Sequence, residues 1–217
     1  MGLALIFDMD GVLIDSNPLH REAWAAFNLR YGLETTEAMQ EQMYGKRNDE
    51  IVRNFFGAEL PAEEVEARGA AKERLYREML ADGIEQFLVA GVRDFLERHQ
   101  KSPMALATNA EPLNVDFVLD RAGLRKYFRA VVDGHQVERP KPFPDIYLRA
   151  AERLGAKPRE CVVFEDSHSG VEAAREAGMQ VIGLCTTHVN LQGTALNIDN
   201  FLNGKLAEWL EAQERAL

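Results

Sequence analysis

The apolar positions of the chain gather into short runs, LALIF at 3–7, MALA at 104–107, AVV at 130–132, CVVF at 161–164 and QVIGL at 180–184. Each run is bounded by polar residues, and the stretches between them carry apolar positions at three- and four-residue intervals. Short unbroken aliphatic runs alternating with helical periodicity predict parallel strands with crossover helices. Helix-boundary residues agree. Pro144 precedes a stripe of Ile146, Tyr147, Ala150 and Leu154 that stops at Gly155, and Ser167 precedes Val171, Ala174 and Ala177 before Gly178. From about Ser16 to Gln86 the strand signal vanishes and amphipathic helices replace it, with Leu19, Ala23 and Phe27 on one face and Val65, Leu75 and Met79 on another. The pattern is α/β with a helical insertion after the first strand. From about Leu191 it is less regular, with a last helix near Leu206 to Ala216 and a structural role.

Length and composition narrow the class. The 217 residues suffice for a sizeable core and one or two domains, and no apolar run approaches a membrane span. The start MGLALIFDMDG lacks a basic segment, and Asp8 and Asp10 interrupt it before signal-peptide length, so it reads as a strand of a cytoplasmic protein. A formal net charge of -10 without a Lys/Arg cluster disfavours nucleic acid as a partner. Cys161 and Cys185 fall in apolar segments that read as strands, which suits reduced core thiols rather than a disulfide or zinc site.

Chemistry concentrates at predicted strand ends. DMDGVLIDS puts Asp8 and Asp10 two positions apart at the carboxyl end of the first strand, where open α/β sheets bind ligands. Carboxylates so close repel unless one is protonated or a hard, oxygen-ligated cation such as magnesium lies between them. A solvated turn is the plainer alternative. CVVFEDSHSG repeats the layout with Glu165 and Asp166, although Asp166 or Ser167 alone would serve as an ordinary helix cap. Thr108 and Asn109 follow a third strand, and Lys141 lies between prolines in RPKPFPD. Taken singly, Thr108 reads as a turn residue and Lys141 as a surface charge. Together they form a set suited to phosphoryl oxygens. His168 opens a helix and reads as incidental, His99, His135 and His188 show no partner pattern, and Trp24 and Trp209 fit amphipathic helices.

Asp8-x-Asp10-Gly11, Thr108-Asn109, Lys141-Pro142 and Glu165-Asp166, in this order and spanning almost the whole chain, resemble the four motifs of the haloacid dehalogenase superfamily. The DGVLIDS, KPxPD and EDSxxG forms resemble its β-phosphoglucomutase and phosphoglycolate phosphatase branch, which has a helical cap. The resemblance implies a Rossmann-like core at 1–15 and 87–217 with a cap at 16–86. It further implies Asp8 as nucleophile forming an aspartyl-phosphate, Asp10 as acid and base, and Thr108 and Lys141 as stabilisers of the phosphoryl oxygens. Mg2+ would be held by Asp8, Asp10 through its backbone carbonyl, Glu165 and Asp166. An acid at position 10 suits a phosphate ester better than a halide, which leaves without a proton. The expected function is a phosphatase acting on a small phosphorylated metabolite such as a sugar phosphate, as a monomer or weak homodimer. A β-phosphoglucomutase is the alternative, and a non-catalytic regulatory or binding module a minor one.

In this branch the cap selects the substrate, so polar residues in 16–86 are the candidate substrate contacts, with Asn109 on the core. His20 falls where a histidine of the resembling enzymes approaches the acid/base aspartate. GKRNDE, Gly45 to Glu50, resembles the cap loop that faces the active site, so Arg47 and Asn48 are candidates, although an exposed helix start capped by Asn48 fits as well. Lys72 in RGAAKERLY falls near a cap lysine of the mutases, whereas its helical setting by itself favours a solvated charge.

Overall fold

The computed structural model describes residues 2–43, 46–81 and 83–216. Gly45 of the candidate cap loop lies outside these residues. In chain order the elements are β1 (Ala4–Phe7), α1 (Asn17–Leu29), α2 (Glu37–Glu41), α3 (Asn48–Phe56), α4 (Ala62–Leu80), α5 (Ile84–Phe87), α6 (Val92–Arg98) and β2 (Met104–Ala107). Then come α7 (Pro112–Arg121), β3 (Ala130–Val132), α8 (Asp145–Leu154), β4 (Cys161–Glu165), α9 (His168–Glu176), β5 (Gln180–Leu184), β6 (Leu196–Ile198) and α10 (Gly204–Ala216).

The six strands form one parallel sheet in the order β3-β2-β1-β4-β5-β6. Parallel strands covered on both faces need apolar residues at every position, which is why their runs are unbroken. Leu5 and Phe7 face one core with Leu106, Phe164 and residues of α6, α7 and α10, whereas Ala4 and Ile6 face a second core with Ala105, Val163 and residues of α8 and α9. Small alanines on the second side let α8 pack close, with Tyr147 and Ala150 fully buried there.

β1 is the switch point, pairing with β2 on one side and β4 on the other. The chain turns sharply after it, with Gly11 at φ 76° in the left-handed region. Helices α1 to α6 intervene before β2, and α1, α3 and α4 share their own apolar cluster of Trp24, Phe27, Ile51, Val52 and Val65.

Two details differ from the sequence reading. β6 has no counterpart among the predicted strands, because its three residues, LNI, form an edge strand with a polar centre and give no aliphatic run. Cys185 lies one residue beyond β5 and is half-buried, whereas Cys161 is a buried strand residue whose thiol pKa burial pushes up to about 12. Among the described residues, no helix is long and apolar enough to cross a membrane.

Candidate active site

Asp8 follows β1, Thr108 follows β2 and Glu165 ends β4, so three neighbouring strands deliver polar side chains to one edge of the sheet. Asp8, Thr108, Lys141, Glu165 and Asp166 are all buried there. Ligand atoms of Asp8, Glu165 and Asp166 lie within 4.8 Å of one another. The adjoining cavity is lined by Asp8, Asp10, Thr108, Asn109, Lys141 and Asp166 from the sheet edge, and by His20, Arg47, Asn48 and Lys72 from the helical insertion. The predicted residues from seven separate segments thus meet around one space, except that Glu165 sits behind it.

Lys141 Nζ lies 2.9 Å from Asp8 Oδ1 and donates to Glu165 Oε1 at 2.6 Å, which Tyr147 Oη also reaches at 2.8 Å. Glu165 Oε2 accepts from the backbone N–H groups of Asp166 and Ser167 and from Ser167 Oγ. Burial alone would raise Glu165, but Lys141 and these donors hold its pKa below the usual range. Burial pushes Asp8 up to about 7 despite Lys141, with Glu165 and Asp10 adding repulsion. Burial and the charges of Glu165 and Asp8 also raise Asp166 well above the ordinary value.

Three buried carboxylates therefore share a single lysine. Asp8 Oδ1 is buried without a well-directed hydrogen bond among the described residues. A Cβ added at Gly11 would fall 1.9 Å from Asp166 Oδ2, so the turn backbone hugs this carboxylate as only glycine permits. An all-oxygen donor set whose negative charge exceeds what Lys141 balances fits a hard divalent cation. Asp8 and Asp166 offer oxygens to it more readily than Glu165, whose two oxygens already accept five hydrogen bonds.

Asp10 faces other partners. Its Oδ1 accepts from Ser16 Oγ at 2.5 Å and lies 3.4 Å from His20 Nε2. Burial would raise Asp10, but hydrogen bonds from His20 and Ser16 bring its pKa below the ordinary value. His20 stacks on Tyr76 with ring centroids 3.9 Å apart, and Lys72 Nζ stands 2.7 Å from its Nδ1. An ammonium only donates, so Nδ1 accepts and the ring proton sits on Nε2, toward Asp10.

Lys72 is not the solvated helix lysine that its spacing suggests. It is 1% exposed, donates to Glu73 Oε1 at 2.7 Å and lies 5.1 Å from the centre of the Trp24 ring. Pairing with Glu73 compensates its burial, which helical periodicity does not report. Arg47, not Asn48, occupies the N-cap of α3, without a capping bond, and its guanidinium donates to the carbonyl of Gly134 across the cavity. His168 is exposed, its ring centre 4.6 Å from that of His188, and it is not among the residues that line the cavity.

Several cavity residues escaped the sequence reading. Asn17 Nδ2 donates to Asp166 Oδ2 at 3.1 Å, and Thr187 Oγ1 donates to the same oxygen. Glu73, Glu111 and Asn114 also line the space. Asn17 adjoins the first acidic motif and Glu111 follows Thr108-Asn109 closely, a proximity that signals them. Glu73 and Asn114 carried no signal.

A parallel α/β sheet with buried carboxylates and a buried lysine at its switch point, facing a cavity also lined by inserted helices, is the setting in which similarity to known proteins places the chain among hydrolases. Residues 3–178 match the family model for haloacid dehalogenase-like hydrolases, and the chain belongs to that family. It is 38% identical over 181 residues to the fructose-1-phosphate phosphatase YqaB of Escherichia coli, covering 82% of this chain and 94% of that protein. It is 32% identical over 209 residues to a β-phosphoglucomutase of Mycobacterium bovis, covering 82% and 79%. The structure of β-phosphoglucomutase from Clostridium difficile superposes with a TM-score of 0.87 at 22% identity, covering both chains completely, and so shares the fold. The chain is thus an enzyme of the haloacid dehalogenase-like hydrolases, similar to a sugar phosphatase and to β-phosphoglucomutases.

Proposed function

We propose that this enzyme is a magnesium-dependent phosphatase of a small sugar phosphate, working through an aspartyl-phosphate on Asp8. Asp8 attacks phosphorus, the ester P–O bond breaks, and Asp10 gives a proton to the leaving oxygen. Water then attacks the aspartyl-phosphate, Asp10 takes its proton, and inorganic phosphate departs. Lys141 and Thr108 bind the phosphoryl oxygens, where charge is greatest during transfer. Asp8, Asp166, the Asp10 carbonyl and, behind them, Glu165 would hold the cation, which supplies positive charge for the phosphoryl group and favours ionised Asp8. The two free cysteines are in keeping with a cytoplasmic site of action.

The observation that carries this reading is the setting of Asp10, held by Ser16 and His20 beside Asp8 in one cavity. Its lowered pKa suits the base of the hydrolytic half-reaction. An arriving phosphate dianion raises it toward the acid required for the first half.

The second reading is a β-phosphoglucomutase, favoured by the relatives of that name and by the cap lysine Lys72 reaching His20. The test incubates the protein and magnesium with fructose 1-phosphate and with β-glucose 1-phosphate plus a trace of glucose 1,6-bisphosphate. Released phosphate without isomerised sugar supports the phosphatase. Glucose 6-phosphate forming faster than free phosphate establishes the mutase instead.

A further inference from the structure

Part of the cavity is bounded by a wall that neither helix makes alone. Lys72 and Glu73 come from α4, whereas Glu111 and Asn114 come from the start of α7. Behind the wall, Arg77 Nη1 donates to Glu111 Oε1 at 2.7 Å and to Asn114 Oδ1 at 2.6 Å. Asn114 Nδ2 donates to Glu73 Oε2 at 2.6 Å, and Lys72 occupies Glu73 Oε1. Both carboxylate oxygens of Glu73 and both ends of the Asn114 amide are therefore engaged.

Glu111 differs from these neighbours. It is the N-cap residue of α7, yet it makes no side-chain cap bond and instead reaches across to α4. Only Oε1 is engaged among the described residues, and the side chain is 19% exposed at the cavity. Burial raises its pKa, with Glu73 adding repulsion while Arg77 opposes. A desolvated carboxylate with a spare oxygen calls for a hydrogen-bond donor.

Sugar hydroxyls donate, whereas the oxygens of an ionised phosphate only accept. Lys72 in this wall and Arg77 behind it are matched one to one with Glu73 and Glu111, so a second phosphate brought here meets two carboxylates and, among the described residues of the wall, no uncommitted positive charge. The other cap cations of the cavity are Arg21 on α1 and Lys46 and Arg47 in the loop before α3, where Arg47 is tied to Gly134.

We infer that Glu111 is a specificity residue, accepting a hydrogen bond from a hydroxyl of a singly phosphorylated sugar or polyol and turning away substrates with a second phosphate at that end. The inference rests on the phosphatase reading above and deepens it.

The test compares wild type, Glu111→Gln and Glu111→Lys on fructose 1-phosphate, fructose 1,6-bisphosphate and p-nitrophenyl phosphate, which has no sugar hydroxyl. Ratios of kcat/KM within each protein cancel any loss of folded enzyme. Glu111→Gln is expected to lower the ratio of fructose 1-phosphate to p-nitrophenyl phosphate about tenfold, since the neutral amide is a weaker acceptor. Glu111→Lys is expected to raise the ratio of bisphosphate to monophosphate about tenfold as repulsion becomes attraction. A change below about fivefold in either ratio overturns the inference while leaving the phosphatase intact. Wild type that turns over none of the three with magnesium overturns the phosphatase reading, and this inference with it.

Discussion

Lys141 Nζ and Glu165 Oε1 stand 2.6 Å apart with neither side chain more than 2% exposed, a buried ion pair at the base of the site. Replacing Lys141 by Met leaves Asp8, Glu165 and Asp166 with no cation among them. Breaking a buried pair on one side costs about 3–5 kcal/mol, so urea denaturation of Lys141→Met at neutral pH should show a loss in that range. Unchanged stability would mean that the pair is not buried as described.

Glu73 offers a pH test. Burial opposes its ionised form, but Lys72, His20 and Asn114 outweigh it and lower its pKa from 4.5 to about 2. Because the folded value lies below the unfolded one, its stabilisation is fully present above pH 4.5 and is lost as pH falls toward about 2. The contribution is on the order of 3 kcal/mol. Unfolding free energies of wild type and Glu73→Gln should differ most at pH 7 and converge near pH 2; a gap that persists at low pH would contradict the assignment.

Gly11 combines a φ of 76° with a position where an added Cβ would fall 1.9 Å from Asp166 Oδ2. Gly11→Ala should destabilise the fold by more than about 1 kcal/mol and displace the Asp166 carboxylate. A thermal melt with and without magnesium checks both, the variant losing midpoint and magnesium response together.

Magnesium should raise the melting temperature of wild type in proportion to the logarithm of its concentration above the dissociation constant. Chelator should abolish phosphate release, and added magnesium restore it. Asp166→Asn should lose the thermal response, because the amide supplies no charge to the ion. Full turnover in chelator would refute the proposed metal site.

Asp8 and Asp10 should separate by what accumulates. Asp8→Asn is expected to lose more than about a thousandfold in kcat and to form no acid-labile phosphoenzyme. Asp10→Asn, which keeps the nucleophile, should lose about a hundredfold or more. Phosphate labelling of Asp8→Asn equal to wild type would place the nucleophile elsewhere.

Much of this enzyme was legible along the chain, for a local reason. Parallel strands buried on both faces must be apolar nearly throughout, so β1, β2 and β4 announced themselves, and the polar residues at their carboxyl ends, Asp8, Thr108 and Glu165, had to emerge at one sheet edge. The caps of α8 and α9 were legible because Pro144, Gly155 and Ser167 serve backbone needs within a few residues. β6 was not, because an edge strand of three residues needs little apolar surface.

What the sequence determined by itself was therefore the order of strands and insertion and the motif residues that chemistry needs at strand ends. Tertiary structure alone decided the far wall of the cavity. Glu73 and Asn114 are 41 positions apart, and Lys72 and His20 are 52 apart, yet each pair is hydrogen-bonded. Whether a helix lysine points into water or into a buried pair depends on what the opposite helix presents when the two pack. Helical periodicity records which face is apolar; it carries no record of a partner brought by another segment.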